Sequence, residues 1–146
     1  MKNLQTTLQG ITMANGYANT LNAVERVLQQ GQSSQPPMAY LLEANDTVTA
    51  EAPLGFLSRE MLVGVVLVVQ QDEAIDSRSA SEVMNSLIAD VQRALQVDER
   101  RGNLAVLTKE TDVSAVQIIE GMPELSATVA YSIHYRHNRL DATVVG

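Results

Sequence analysis

The chain has 146 residues, 45% of them apolar and 18% charged, which fits one globular domain (residues 1–146) and excludes a disordered chain. It has no Cys and two His, which excludes disulfides, thiol nucleophiles and Cys-based metal sites. A formal net charge of −7, with 3% aromatic residues and no Trp, argues against a phosphate-wrapping surface or a base-stacking platform.

Leu4, Leu8 and Ile11 are spaced by four and three, which predicts a short N-terminal helix broken at Asn15-Gly16. The N-terminus carries no apolar signal core, so export is not expected. Residues 20–29 are ambiguous: Leu21, Val24 and Leu28 fit a helical stripe, whereas alternation along the same stretch fits a strand. Residues 31–37 read as a polar loop. Met38 to Ala44 reads as a strand, with a turn or loop at Asn45-Asp46. Pro53 and Gly55 punctuate the next connection, and Met61 to Gln71 reads as a Val/Leu-rich strand; the longest apolar run, Met61 to Val69, is too short to span a bilayer as a helix.

The clearest element is a helix over 79–97. Ala80, Val83, Met84, Leu87, Ile88, Val91, Ala94 and Leu95 make one apolar stripe, with Glu82, Asn85, Ser86, Asp90, Gln92, Arg93 and Gln96 mostly opposite. Ser79 and Glu82 have capping-box spacing, and Gly102 is the expected terminator. Thr111 to Glu120 reads as a strand and Gly121-Met122-Pro123 as a turn. From Ala127 to Arg136 apolar and polar residues alternate, as in a strand buried on one face; an exposed tail or edge segment is expected from His137. The expected class is α+β: a mostly antiparallel sheet with one long amphipathic helix across a face and a short N-terminal helix.

No constellation for catalysis emerges. His134 and His137 lie three apart, which on a strand points them to opposite faces and disfavours a shared metal ion. Asp72, Glu73 and Asp76 lack the oxygen-ligand spacing of a cation loop and read as a solvated loop before the helix. No Gly-x-Ser-x-Gly elbow or phosphate-cradling Gly motif occurs. Neither an enzyme activity nor a cofactor is expected. The charged run Asp98-Glu99-Arg100-Arg101-Gly102 reads equally as a salt-bridged subunit contact or a solvated helix end.

Three stretches together resemble the tail terminator (tail-completion) proteins of long-tailed bacteriophages. They are Ile11-Thr12-Met13-Ala14-Asn15-Gly16-Tyr17 with the segment leading to Val27, Asp90-Val91-Gln92-Arg93-Ala94-Leu95, and Ile133-His134-Tyr135-Arg136 with Asp141 downstream. The resemblance covers most of the chain in order. Where the family often has Pro after the terminal Asp, this chain has Ala142. The resemblance implies a sheet crossed by a helix, and an extended segment at 20–29. It also implies a structural virion protein: a homo-hexameric ring that caps the head-proximal end of the tail tube and joins it to the neck. The implied partners are tail tube protein, neck or head-tail connector proteins and, where the tail is contractile, sheath protein. The protein would be assembled in the host cytoplasm and located in the virion.

Six copies of such a chain would carry a charge on the order of −40, so DNA would pass the ring without specific binding. No membrane partner is expected. A ring needs a heterologous contact, and Arg is enriched at interfaces. The candidate interface residues are therefore Arg26, Arg59, Arg100, Arg101, Arg136 and Arg139, together with Asp98 and Asp141. Charge reversal of Arg100 and Arg101 is expected to weaken the ring and leave the subunit folded. The alternatives are another tail or neck adaptor protein, or a small cytosolic acidic enzyme or ligand-binding domain, the last marked by a concave pocket with convergent polar groups.

Overall fold

Leu4 and Leu8, one helical turn apart, are both buried in a computed structural model of the protein, and they fix the inner face of α1 (Lys2–Gln9). The structure describes residues 2–26, 36–52, 55–70, 79–102, 104–114, 117–118, 124–138 and 140. Ile11 continues the buried stripe from the loop beyond α1. Thr12 then caps a 3-10 turn (Met13–Asn15) by accepting the Asn15 backbone N–H. Gly16 closes that turn at φ 86°, a left-handed conformation that costs glycine least.

Of the strand expected over 20–29, residues 23–26 form β1 (Ala23–Arg26); Thr20, Leu21 and Asn22 precede it outside any strand, and residues 27–29 lie outside the described residues. Two long strands follow, β2 (Met38–Ala52) and β3 (Phe56–Gln70). The expected break at Asn45-Asp46 does not occur. β2 runs through it in register with β3, with irregularities between Glu43 and Asn45 and between Val48 and Ala50. The chain instead reverses between Ala52 and Phe56, and Gly55 there has φ 79°. Polar residues at 45–47 suit a solvated strand as well as a turn; partners across the sheet decide between them.

Helix α2 (Ala80–Gln96) matches its sequence pattern closely. The Ser79 hydroxyl accepts the Glu82 N–H, and the Glu82 carboxylate accepts the Ser79 N–H, completing the capping box. Val83, Met84, Leu87, Val91, Ala94 and Leu95 are buried. One residue departs from the pattern: Asp90, expected on the polar side, is buried. The helix ends at Gln96, and a turn leads to Gly102 at φ 66°.

The strand expected over 111–120 begins earlier, as β4 (Leu107–Val113), with a short β5 (Gln117–Ile118) after it. The last strand, β6 (Glu124–Asn138), is longer than its alternating core. His137 is not in an exposed tail; it pairs with Leu57 and is 7% exposed. The acidic residues at 72–76, the turn at 121–123 and the loop at 31–35 lie outside the described residues.

The strands make one sheet in the order β1-β2-β3-β6-β4, with β5 also paired to β6. Every pairing is antiparallel except β1 with β2. The fold is α+β, as expected. Val63, Val65, Leu67 and Val69 of β3 and Ala127, Val129, Tyr131 and Ile133 of β6 face the helices and form the core with them. Burial of each large side chain there contributes roughly 1.5–3 kcal/mol before entropy is counted.

Element lengths shape the rest. A 15-residue strand spans about 50 Å and the 17-residue α2 about 26 Å. The three long strands therefore outrun the helix and form an arm at the β2–β3 reversal. Its character shows in β2, where residues 42–50 are all exposed.

Candidate functional site

At the base of the arm, β2, β3 and β6 place Asp46, Arg59, Tyr135 and His137 together. Tyr135 lies opposite Arg59 and His137 opposite Leu57 on β3, while Asp46 lies opposite Met61. These positions continue the face that carries the core. The Arg59 Nε–H donates to His137 Nε2 at 2.9 Å, and its Nη1 lies 3.4 Å from Asp46 Oδ1. The Tyr135 hydroxyl donates to Asp46 Oδ2. The Tyr135 and His137 rings lie 6.1 Å apart. Burial, then the Asp46 hydrogen bond and charge, pushes the Tyr135 phenol up to about 12.

Next to this cluster opens a cleft of about 330 Å³, between the start of α1, the segment after α2 and the arm. Leu4, Met61, Leu104, Ala105, Ile133 and Tyr135 give it apolar walls, and Lys2, Asn3 and Arg101 bring polar groups. Arg101 is 3% exposed and has φ 51°. Its Nη2 donates to the Leu95 carbonyl at 2.6 Å and its Nη1 to Thr7 Oγ1 at 3.4 Å. Its guanidinium thus sits at the negative end of α2 and ties that end to α1. Burial lowers its pKa, opposed by the charges of Asp98 and Tyr131. Arg101 Nε and Asn3 Oδ1 are buried without a hydrogen-bond partner.

On the sheet's other face, His134 Nε2 lies 3.2 Å from Ser132 Oγ, and Ser132 donates to Glu60 at 2.6 Å. His134 and His137 thus occupy opposite faces, as their spacing requires. No cluster of three or more metal-ligating residues occurs among the described residues. No described helix is long and apolar enough to cross a membrane.

The structure distributes the candidate interface residues unequally. Arg26 pairs with Glu43 of its own chain at 2.7 Å, and Arg59 belongs to the cluster above. Asp98 accepts the backbone N–H groups of Arg100 and Gly102, at 3.2 and 2.6 Å, so it shapes the turn after α2. Arg101 is the clear correction. It lies inside the subunit, where a charged residue needs local hydrogen bonds, and it offers no surface to a neighbour. Reversing Arg101 would put a carboxylate at this buried site, which runs against the expectation that the double reversal of Arg100 and Arg101 leaves the subunit folded. Arg100 and Arg136 are exposed. Arg139 and Asp141 lie outside the described residues.

Two of the resemblance-bearing stretches meet in space. Asp90 accepts the backbone N–H groups of Ala18 and Asn19, and Asn19 Nδ2 as well. Arg93 lies 4.7 Å over the Tyr17 ring and donates to the Gly16 carbonyl at 3.0 Å. The third stretch lies in β6, where Tyr135 joins the arm cluster and Arg136 is exposed. The spacing of Asp90 with Arg93 on one turn was the available signal for this clamp, but spacing does not name a partner 72 residues away. No family model and no curated protein matches this chain.

Proposed function

We propose that this chain is a structural virion protein, a ring-forming tail terminator that caps the head-proximal end of a tail tube and joins it to the neck. The observation that carries this reading is the arm: three long strands continue past the helix layer, with β2 exposed from 42 to 50. An extended β arm presents backbone and side chains to a partner without disturbing the core. The clamp between the Gly16–Asn19 segment and α2 supports the reading further, because it joins two stretches of the resemblance.

Negative-stain electron microscopy of the purified protein, alone and with tail tubes, tests it. Sixfold rings or capped tube ends are expected. Particles that neither form rings nor bind tubes would overturn the reading.

The cleft beside Arg101 favours a second reading, a small-ligand binding domain. Its volume of about 330 Å³ falls in the range of small-molecule sites, and its walls are apolar with a few polar groups. Thermal-shift titration with short-chain carboxylic acids tests it. Stabilisation that weakens in Lys2→Ala would favour ligand binding; no shift with any acid would remove this reading.

A further inference from the structure

We infer that copies of this chain join edge to edge, the exposed edge of β2 from Leu42 of one copy pairing with β4 of the next, to continue one antiparallel sheet around the assembly. This interface rests on the ring-forming reading and names the surfaces that make the ring.

The sheet leaves two backbone edges open among the described residues. Among the described residues β1 pairs with β2 from Met38 to Leu41, and over residues 42–52 the described partner of β2 is β3 alone. β4 pairs with β6 and lies at the other end of the sheet order. Unpaired edge N–H and C=O groups are templates for another strand.

The two edges match in level and direction. Leu107 of β4 lies opposite His134, His134 opposite Glu60, and Glu60 opposite Thr47. Asp112 leads by the same path through Ala130 and Gly64 to Leu42. The open part of β2 and the open side of β4 therefore occupy the same rows of the sheet. Neighbours β2, β3, β6 and β4 are all antiparallel, so β4 runs opposite to β2. A second copy's β2 beside β4 preserves the alternation, and the next copy repeats it.

Exposed apolar side chains gather at these edges. Leu42 and Val48 are 37% and 50% exposed on β2, and Leu104, Val106 and Leu107 are 53%, 49% and 38% exposed at or just before β4. Only three other large apolar residues among the described ones are as exposed: Met13, Val97 and Leu140. A single edge with such residues would suit many strands. Two edges that complement each other in one chain specify a second copy. The contact is heterologous, so it closes into a ring when each copy is rotated suitably. The irregularities in β2 at 43–45 and 48–50 bend and twist that edge, which favours a curved, closed sheet over flat stacking.

Two surface variants test the pairing: Leu42→Lys with Val48→Lys on β2, and Val106→Lys with Leu107→Lys on β4. Circular dichroism and thermal melts first establish that each remains folded. Sedimentation velocity then measures assembly of wild type, each variant, and their equimolar mixture. Wild type is expected to assemble, and each variant alone to need at least about tenfold higher concentration. The mixture is expected to form one-to-one dimers, because each variant contributes one intact edge. A wild type that stays monomeric, a variant that assembles normally, or a mixture that forms no dimer would each overturn the pairing. Rings that persist in both variants and cap tubes would sink this interface while leaving the terminator reading standing. Edge-dependent rings that ignore tubes would do the reverse.

Discussion

Asp90 and Asn19 are joined by two hydrogen bonds of 2.9 Å, one from the Asn19 backbone N–H and one from its side-chain amide, both to Asp90 Oδ2. Asp90 also accepts the Ala18 N–H at 3.2 Å, so one carboxylate on α2 organises the segment between α1 and β1. A buried carboxylate is tolerated here because backbone donors satisfy it. Asp90→Ala leaves buried donors unpaired and should cost about 2–4 kcal/mol. Urea unfolding measures this loss. A cost under about 0.5 kcal/mol, the level of an ordinary surface change, would show that the clamp contributes nothing to stability.

Arg100 and Arg101 should behave oppositely. Arg101→Glu places a carboxylate in a buried site against the negative end of α2, and should leave the protein largely unfolded. Arg100→Glu changes an exposed residue and should alter the melting temperature little. Thermal unfolding of the two single variants separates these roles, and equal destabilisation would contradict the buried position of Arg101.

Tyrosine ionisation gives a pH prediction. Burial raises the Tyr135 phenol to about 12, with Asp46 adding to the shift. Burial also raises Tyr131 and Tyr40. These groups stay protonated in the folded chain after the unfolded chain has begun to lose protons, at about 10. The unfolded state then binds fewer protons, so stability falls as pH rises. The contribution is complete below pH about 10 and declines between about 10 and 12 for Tyr135. Spectrophotometric titration should show late tyrosinate ionisation, and Tyr135→Phe should remove the part of it near pH 12 while the Tyr131 and Tyr40 contributions remain. A titration unchanged by that substitution would show that Tyr135 is not a late group.

The start of α2 offers a local test. Ser79→Ala removes the hydroxyl that accepts the Glu82 N–H and should destabilise by about 1 kcal/mol. Leu87→Ala, at a fully buried position, should cost about 2–5 kcal/mol. Denaturant unfolding of both variants checks the ranking, and a larger loss at Ser79 would reverse the proposed balance between cap and core.

The sequence by itself determined the pieces whose causes are local. The spacing from Val83 to Leu95, with Ser79 and Glu82, specified α2 and its start. Alternation from Ala127 to Ile133 specified which face of β6 is buried. Those patterns, with the Leu4–Leu8 spacing, were enough for the α+β class. The tertiary structure decided what depends on distant partners. Asn45 and Asp46 have turn-like chemistry, yet β3 and β6 supply the strand partner, Arg59 and Tyr135 that keep β2 extended there. Asp90 and Arg101 are charged, and composition places charge outside. Each is buried because backbone groups from another part of the chain meet it: the N–H groups of Ala18 and Asn19 in one case, the Leu95 carbonyl in the other. Periodicity records which side of an element is apolar; it carries no record of which polar groups the fold brings opposite.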